Sequence, residues 1–113
     1  MEKINPICIM NPGTDEVRYT LEFSRSVVKM AEKVGFHLGL FETAPLTATE
    51  NLWFYAFQKN HSGMKLDASI DILKEVGGMT AEMIQRLVEL YQAPSDALAS
   101  TADGEEKNAY VRL

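Results

Sequence analysis

The sequence has a single cysteine, Cys8, and lacks any apolar run close to the roughly 18–20 residues that a membrane span needs. One thiol excludes an intramolecular disulfide framework and suits a reducing compartment. The opening residues also lack the apolar core and cleavage site of a signal peptide. We therefore expect a cytoplasmic protein.

Basic residues are in short supply, with 11 Lys and Arg against 16 Asp and Glu and a net charge of −5. Affinity for nucleic acid depends mainly on clustered Lys and Arg, so this balance argues against a phosphate backbone as the partner. The acidity itself does not require a partner, because a net charge of either sign keeps a protein soluble. The composition predicts a protein that binds neither nucleic acid nor membrane.

Residue patterns typical of catalysis are also missing. Cys8 lies between two isoleucines on a predicted strand, which favours a structural thiol over a nucleophile. His37 and His61 are the only histidines, and no second cysteine completes a zinc set. Gly77-Gly78 is not followed by the lysine of a phosphate-binding loop. We expect no enzyme activity, no metal and no cofactor.

What the sequence does contain begins with a predicted β-hairpin. Apolar and polar residues alternate over 16–23, which is typical of a strand with one buried face. A turn at Asn11-Pro12-Gly13 precedes it, after the β-prone run 7–10. A five-residue loop over 11–15 would pair Ile9 with Val17 and Ile7 with Tyr19, and would place Cys8 opposite Arg18.

About four helices are predicted after the hairpin. Ser24 or Ser26 caps the first, in which Val27, Ala31 and Val34 form a stripe that ends at Gly35. An apolar connector over 36–46 then leads to a helix from the capping box at 47–50 to about residue 61. The third helix is capped by Asp67, with Ile70, Leu73 and Val76, and the fourth follows Thr80 and is limited by Pro94.

The predicted fold is therefore α+β and mostly helical, an N-terminal β-hairpin packed on about four α-helices. One compact domain over residues 1–100 accounts for the apolar pattern, and the polar stretch 101–113 is predicted to be a flexible tail.

The run from Leu52 to Phe57 consists of six successive apolar residues. At about 100° per residue they surround the helix, whereas a surface helix needs only one apolar stripe. The helix is either central to the core, or it buries one face in the core and another against a partner. Aromatic residues are enriched at interface cores, so the sequence leaves both interpretations open.

The two helices between Asp67 and Tyr91, joined through Gly77-Gly78, have the layout of a helix-turn-helix motif. The second helix offers one basic residue, Arg86, against Glu82 and Glu89. This charge balance is unfavourable for DNA, but the layout leaves a small regulatory or adaptor protein, with a DNA-binding repressor as one form of it, as an alternative function.

The order of motifs resembles the small tail assembly chaperones of long-tailed bacteriophages and prophages. The resemblance covers about 16–98 and rests on short motifs: Val17-Arg18-Tyr19-Thr20-Leu21-Glu22-Phe23-Ser24-Arg25, Met30-Ala31-Glu32-Lys33-Val34-Gly35-Phe36, the run 52–57, and Leu87-Val88-Glu89-Leu90-Tyr91 followed by Pro94 and Leu98. It implies a chaperone that coats the tape measure protein, keeps it soluble while the tail tube polymerises, and self-associates. A frameshifted longer product often accompanies such proteins.

A chaperone for a long helical client needs an exposed apolar surface and adaptable contacts. The candidate partner-binding residues are the aromatic and methionine side chains of the later helices, namely Trp53, Phe54, Phe57, Met79 and Met83. Core packing is the competing explanation for each of them. The sequence leaves open which face binds the client and how many copies assemble.

Overall fold

The structure, a computed structural model, describes residues 5–98. It confirms the α+β prediction, because a two-stranded antiparallel hairpin is followed by helices alone. The elements are β1 (Ile7–Met10), β2 (Val17–Leu21), α1 (Arg25–Lys33), α2 (Leu40–Thr43), α3 (Pro45–Gln58), α4 (Leu66–Glu75) and α5 (Ala81–Leu98). The predicted tail, residues 101–113, lies outside the described residues.

The hairpin forms in a different register from the one expected. Ile7 pairs with Leu21 and Ile9 with Tyr19, two residues further along β2 than predicted, and Cys8 lies opposite Thr20. The loop covers residues 11–16, one residue more than predicted, because β1 ends at Met10 and β2 begins at Val17. Within it the Asn11 N–H donates to the carbonyl of Glu16 at 2.9 Å. A shift of two preserves which side chains face inward.

A β-bulge then interrupts the ladder between Ile9 and Met10. Met10 pairs with Val17, and the side chain of Val17 is 51% exposed. Val17 was expected on the buried face, and the extra residue in β2 explains why it is not there.

Helix α1 begins and ends as its sequence predicts. The Ser24 hydroxyl accepts from the Val27 N–H at 3.2 Å, which is an N-cap bond. Gly35 adopts φ +94°, and the N–H of Phe36 donates back to Ala31, as in a Schellman motif. The predicted stripe is wrong at Val34, which is 67% exposed because it caps the helix at its C-terminal end.

Helix α3 begins two residues before the predicted capping box. Pro45 occupies its first turn, where a proline has the right φ and its missing N–H costs nothing, and no side chain caps the helix. Thr47 therefore lies inside the helix. Part of the expected connector is helical too, since α2 occupies Leu40–Thr43.

Helix α4 differs from the prediction at its first turn and on its buried face. Asp67 lies in the first turn of α4 instead of capping it, because the chain becomes helical after Lys65. Val76 is 42% exposed, and α4 buries Ser69 and Ile72 instead.

The start of α5 is as predicted, with the Thr80 hydroxyl accepting from the Met83 N–H at 3.1 Å. Its end is not, because the helix continues past Pro94 to Leu98. A proline removes one backbone donor, and here the remaining turn forms without it.

Helix α3 is the centre of the fold. It contacts β2, α1, α2, α4 and α5, whereas β1 packs mainly on β2. Five of the six residues in the run 52–57 are buried and Phe54 is partly buried, which confirms the central-core interpretation of this helix. No helix among residues 5–98 has the length and apolarity to cross a membrane.

Candidate partner-binding surface

Trp53 is part of the core and is fully buried. Its indole N–H donates to the carbonyl of Ser69 on α4 at 2.7 Å, and the Ser69 hydroxyl donates to the Leu66 carbonyl at 2.7 Å. A buried indole needs such a partner, because an unpaired N–H costs free energy. Trp53 therefore joins α3 to α4.

Phe57 is also fully buried, one helical turn after Trp53. The two rings meet edge to face with centroids 5.3 Å apart, and Phe57 makes a similar contact with Tyr19 of β2 at 5.5 Å. The ring thus fixes the hairpin to α3. In this conformation neither Trp53 nor Phe57 offers a surface to another molecule.

The other three candidate residues are partly exposed. Phe54 packs against the neighbouring Tyr55 ring at 5.0 Å, while Met79 and Met83 pack against the edge of the core. Met79 precedes α5 and Met83 lies in its first turn. The structure therefore separates the predicted set into a buried pair and an accessible group.

Met83 lines an open pocket of about 220 Å³. The other lining residues are Ile7 from β1 and Thr80, Glu82 and Arg86 from the start of α5. This volume lies below the roughly 300–1,000 Å³ of typical small-molecule sites. The pocket suits one or two apolar side chains, with a carboxylate and a guanidinium at its margin.

Arg86 positions the N-terminal strand beside this pocket. Its Nη2 donates to the carbonyl of Asn5 at 3.3 Å, next to Pro6 and Ile7. The sequence predicted Met83 as a partner-binding residue, but it predicted no pocket and assigned no such role to Ile7, Glu82 or Arg86. Only the packing of the hairpin on the helices brings Ile7 to α5, so no local pattern could have indicated it.

The shifted ionisable groups lie away from the pocket. A hydrogen bond from Arg18 to Glu75, at 3.0 Å, raises the pKa of the Arg18 guanidinium, and the charge of Glu75 adds to this. Burial raises the pKa of both Tyr55 and Tyr91. These effects belong to ion pairing and core packing, and none of them points to an acid or base in the pocket.

The two histidines have different settings. The His61 Nε2 accepts from the Thr20 N–H at 3.0 Å and its ring contacts Tyr19 at 5.3 Å, so it ties the end of α3 to β2. His37 is exposed, as is Cys8. Among residues 5–98, no three His, Cys, Asp or Glu side chains are grouped in a way that could hold a metal ion.

Taken together, the geometry defines a small α+β protein, in which a hairpin packs on an aromatic helical core and a small open pocket lies between β1 and the start of α5. The chain belongs to the family described as "Domain of unknown function (DUF5055)", whose model matches residues 1–113. No curated protein and no solved structure shows significant similarity to it.

Proposed function

We propose that this protein is a non-enzymatic tail assembly chaperone of a long-tailed phage or prophage, which binds and solubilises the tape measure protein and self-associates. The resemblance over residues 16–98 supports the tape measure protein as the client. The observation that supports the proposal structurally is the open pocket lined by Met83, because it gives a recess in which Met83 and Ile7 can contact an apolar side chain.

The pocket suits an amphipathic helix as the ligand. Such a helix binds by inserting apolar side chains at helical spacing into a groove. Met83 and Ile7 would contact the inserted side chain, and methionine adapts to partners of varied shape. Glu82 and Arg86 would pair with charges on either side of it. Weak contacts of this kind, repeated along a long client, suit a chaperone that must later be displaced.

Because Trp53 and Phe57 are buried, we propose a structural role for them instead of direct contact with the client. Both support the surface from within, since they fix α4 and the hairpin to α3. Truncating either one would reduce client binding through loss of folding. Phe54 and Met79 remain proposed contacts, and Met83 is the residue to test first.

The test is co-expression with the long helical protein that the proposal expects beside this gene, comparing its soluble yield and co-purification with and without this chain. Met83→Lys places a charge in the pocket and should abolish both effects. Met30→Lys is the matched control, because Met30 is 46% exposed on α1 and does not line the pocket. Circular dichroism and thermal melting establish that both variants fold.

An unchanged client yield with the unmodified chain would contradict the chaperone proposal. Equal loss in the two folded variants would retain the function and reject the pocket. Binding to duplex DNA at physiological salt, reduced by Arg86→Ala, would favour the regulatory alternative, with α5 as the recognition helix.

A further inference from the structure

Helix α4 is the least firmly held of the four longer helices. Helices α1 and α5 each bury three residues and α3 buries six, whereas α4 buries only Ser69 and Ile72. Ile70 and Leu73 are partly buried against the edge of the core. Few buried apolar contacts are characteristic of segments that open before the rest of a protein unfolds.

Within residues 5–98, two polar contacts join α4 to the other strands and helices. The Trp53 indole N–H donates to the Ser69 carbonyl at 2.7 Å, and Arg18 of β2 forms an ion pair with Glu75 at 3.0 Å. The ion pair lies at the surface, with side chains 35% and 50% exposed, where such pairs contribute little to stability. The bond from Trp53 is therefore the main polar attachment of α4.

The connection from α4 to α5, residues 76–80, places little restraint on α4. Its N–H groups at Val76, Gly77 and Gly78 donate back to α4, and Thr80 accepts from α5. Among the described residues, no hydrogen bond joins this connection to a third element. Gly77 and Gly78 have φ of +92° and +91°, and a Cβ on either would meet no atom within 4 Å. The backbone turn requires these glycines, and no packed neighbour holds them.

Helix α4 covers an aromatic part of α3. Trp53 is fully buried, and its ring meets that of Phe57 edge to face at 5.3 Å. Displacement of α4 would leave the indole N–H without its acceptor and would expose part of the indole ring. An aromatic ring with a free polar group is typical of the buried centre of a protein interface. The surface beneath α4 thus has the chemistry of a partner-binding site.

We propose that α4 is a displaceable helix, and that an amphipathic helix of another molecule takes its place on the Trp53 side of α3. The source of that helix rests on the proposed function, in which the client is long and helical. While α4 is docked, Trp53 keeps the structural role described above. The Met83 pocket includes Thr80, the last residue of the connection 76–80, so a helix bound there lies beside the point about which α4 moves.

The sequence of α4 indicates which helix can replace it. Ser69 is small and fully buried, and Ile72 and Leu73 follow three and four positions later. Residues at this spacing lie on one face of a helix, and the small residue lets the backbone carbonyl approach the indole N–H. The replacing helix therefore needs a small residue followed at this spacing by two apolar ones.

A pair of charge substitutions tests whether α4 can leave the fold. Ile72→Asp places a carboxylate beneath α4 and should detach this helix while the rest of the chain stays folded. Leu87→Asp is the matched control in α5 and should unfold the whole chain. Circular dichroism and the fluorescence of Trp53, the only tryptophan, separate these results. Ile72→Asp should keep most of its helical signal and emit at longer wavelength, and its complete unfolding would overturn the proposal.

A synthetic peptide of residues 65–77 tests whether another helix can take the place of α4. It should bind the Ile72→Asp chain at least about tenfold more tightly than the unmodified chain, because the chain's own α4 no longer competes. Binding should also return the Trp53 emission to shorter wavelength. The control peptide carries Ile72→Asp itself and should not bind. Equal binding of the two peptides would reject the replacement.

Hydrogen exchange of the unmodified chain provides a test without any substitution. The amides of α4 should exchange at least about tenfold faster than those in the centres of α3 and α5. Equal rates in the three helices would contradict a separately opening α4. None of these measurements needs the client. A positive peptide result with a negative co-expression result would therefore retain the displaceable helix and reject the chaperone.

Discussion

Helices α3 and α5 carry all but one of the residues that the sequence suggested for partner binding. Helix α3 lies at the centre of the fold, whereas α5 lies at its surface. Helix α3 buries residues on nearly every side and contacts five other elements. Helix α5 buries one stripe, Leu87, Leu90 and Tyr91, and leaves Met83 at a pocket. A continuous apolar run thus indicates a central element, and an amphipathic stripe with methionine indicates a surface.

The largest effect that this comparison predicts is for Trp53→Ala in α3. The substitution opens a cavity and leaves the Ser69 carbonyl without its indole donor. The free energy of unfolding should fall by about 3–5 kcal/mol, as for other buried aromatic residues. Denaturant unfolding measures this, with Met83→Ala in α5 as the comparison, where the loss should be clearly smaller because Met83 is only partly buried.

Equal losses for Trp53→Ala and Met83→Ala would mean that the two helices do not differ in the way described. Trp53→Phe refines the result, because it keeps most of the ring and removes the N–H. Its loss should lie between those of the other two variants.

The next effect concerns the connection between α3 and the hairpin. His61→Ala removes the acceptor for the Thr20 N–H and the ring contact with Tyr19. We expect the free energy of unfolding to fall by about 1–2 kcal/mol, the cost of an unsatisfied, part-buried donor. Asn60→Ala is the control, since its contacts are exposed and longer, at 3.2–3.3 Å. If Asn60→Ala reduced the free energy of unfolding as much as His61→Ala, the histidine would not be the main connection between α3 and the hairpin.

The two helices also start differently, and a pair of threonines tests this. Thr80→Ala removes the N-cap of α5 and should reduce the free energy of unfolding by about 1 kcal/mol. Thr47→Ala should change it by less than about 0.5 kcal/mol, because Thr47 is an exposed residue inside α3. Denaturant unfolding of both variants side by side is sufficient. If Thr47→Ala reduced the free energy of unfolding more than Thr80→Ala, Thr47 would act as the N-cap that the sequence predicted.

Signals confined to one turn of chain located some helix ends and missed others. The caps at Ser24 and Thr80 and the glycine at Gly35 were predicted correctly, because each acts on neighbouring backbone groups. Those at Thr47, Asp67 and Pro94 failed, because α3 and α4 begin earlier and α5 continues past its proline. The register failed because a shift of two keeps the same inward faces, so the apolar pattern fits both registers equally well. The pocket could not be predicted, since it combines Ile7 with α5, far along the chain.

The smallest effect involves one tyrosine from each helix. Burial raises the pKa of Tyr55 in α3 and of Tyr91 in α5, and the negative charge of Glu32 raises that of Tyr91 further. A raised folded-state pKa stabilises the protein below the unfolded value of about 10, and this contribution is lost as the pH rises through the folded-state pKa. The free energy of unfolding should therefore decrease in alkaline solution.

Tyr91→Phe should make that alkaline decrease shallower, and so should Tyr55→Phe. Glu32→Gln should reduce the decrease only while Tyr91 is present, because its effect acts through that phenol. Denaturant unfolding across this pH range, in the single variants and the Glu32→Gln, Tyr91→Phe double variant, isolates the coupling. If Glu32→Gln acted equally in the presence and absence of the Tyr91 hydroxyl, the carboxylate would influence stability by another route. The raised pKa of Tyr91 would then be explained by burial alone, in the packing of its ring against Phe23 and Phe36.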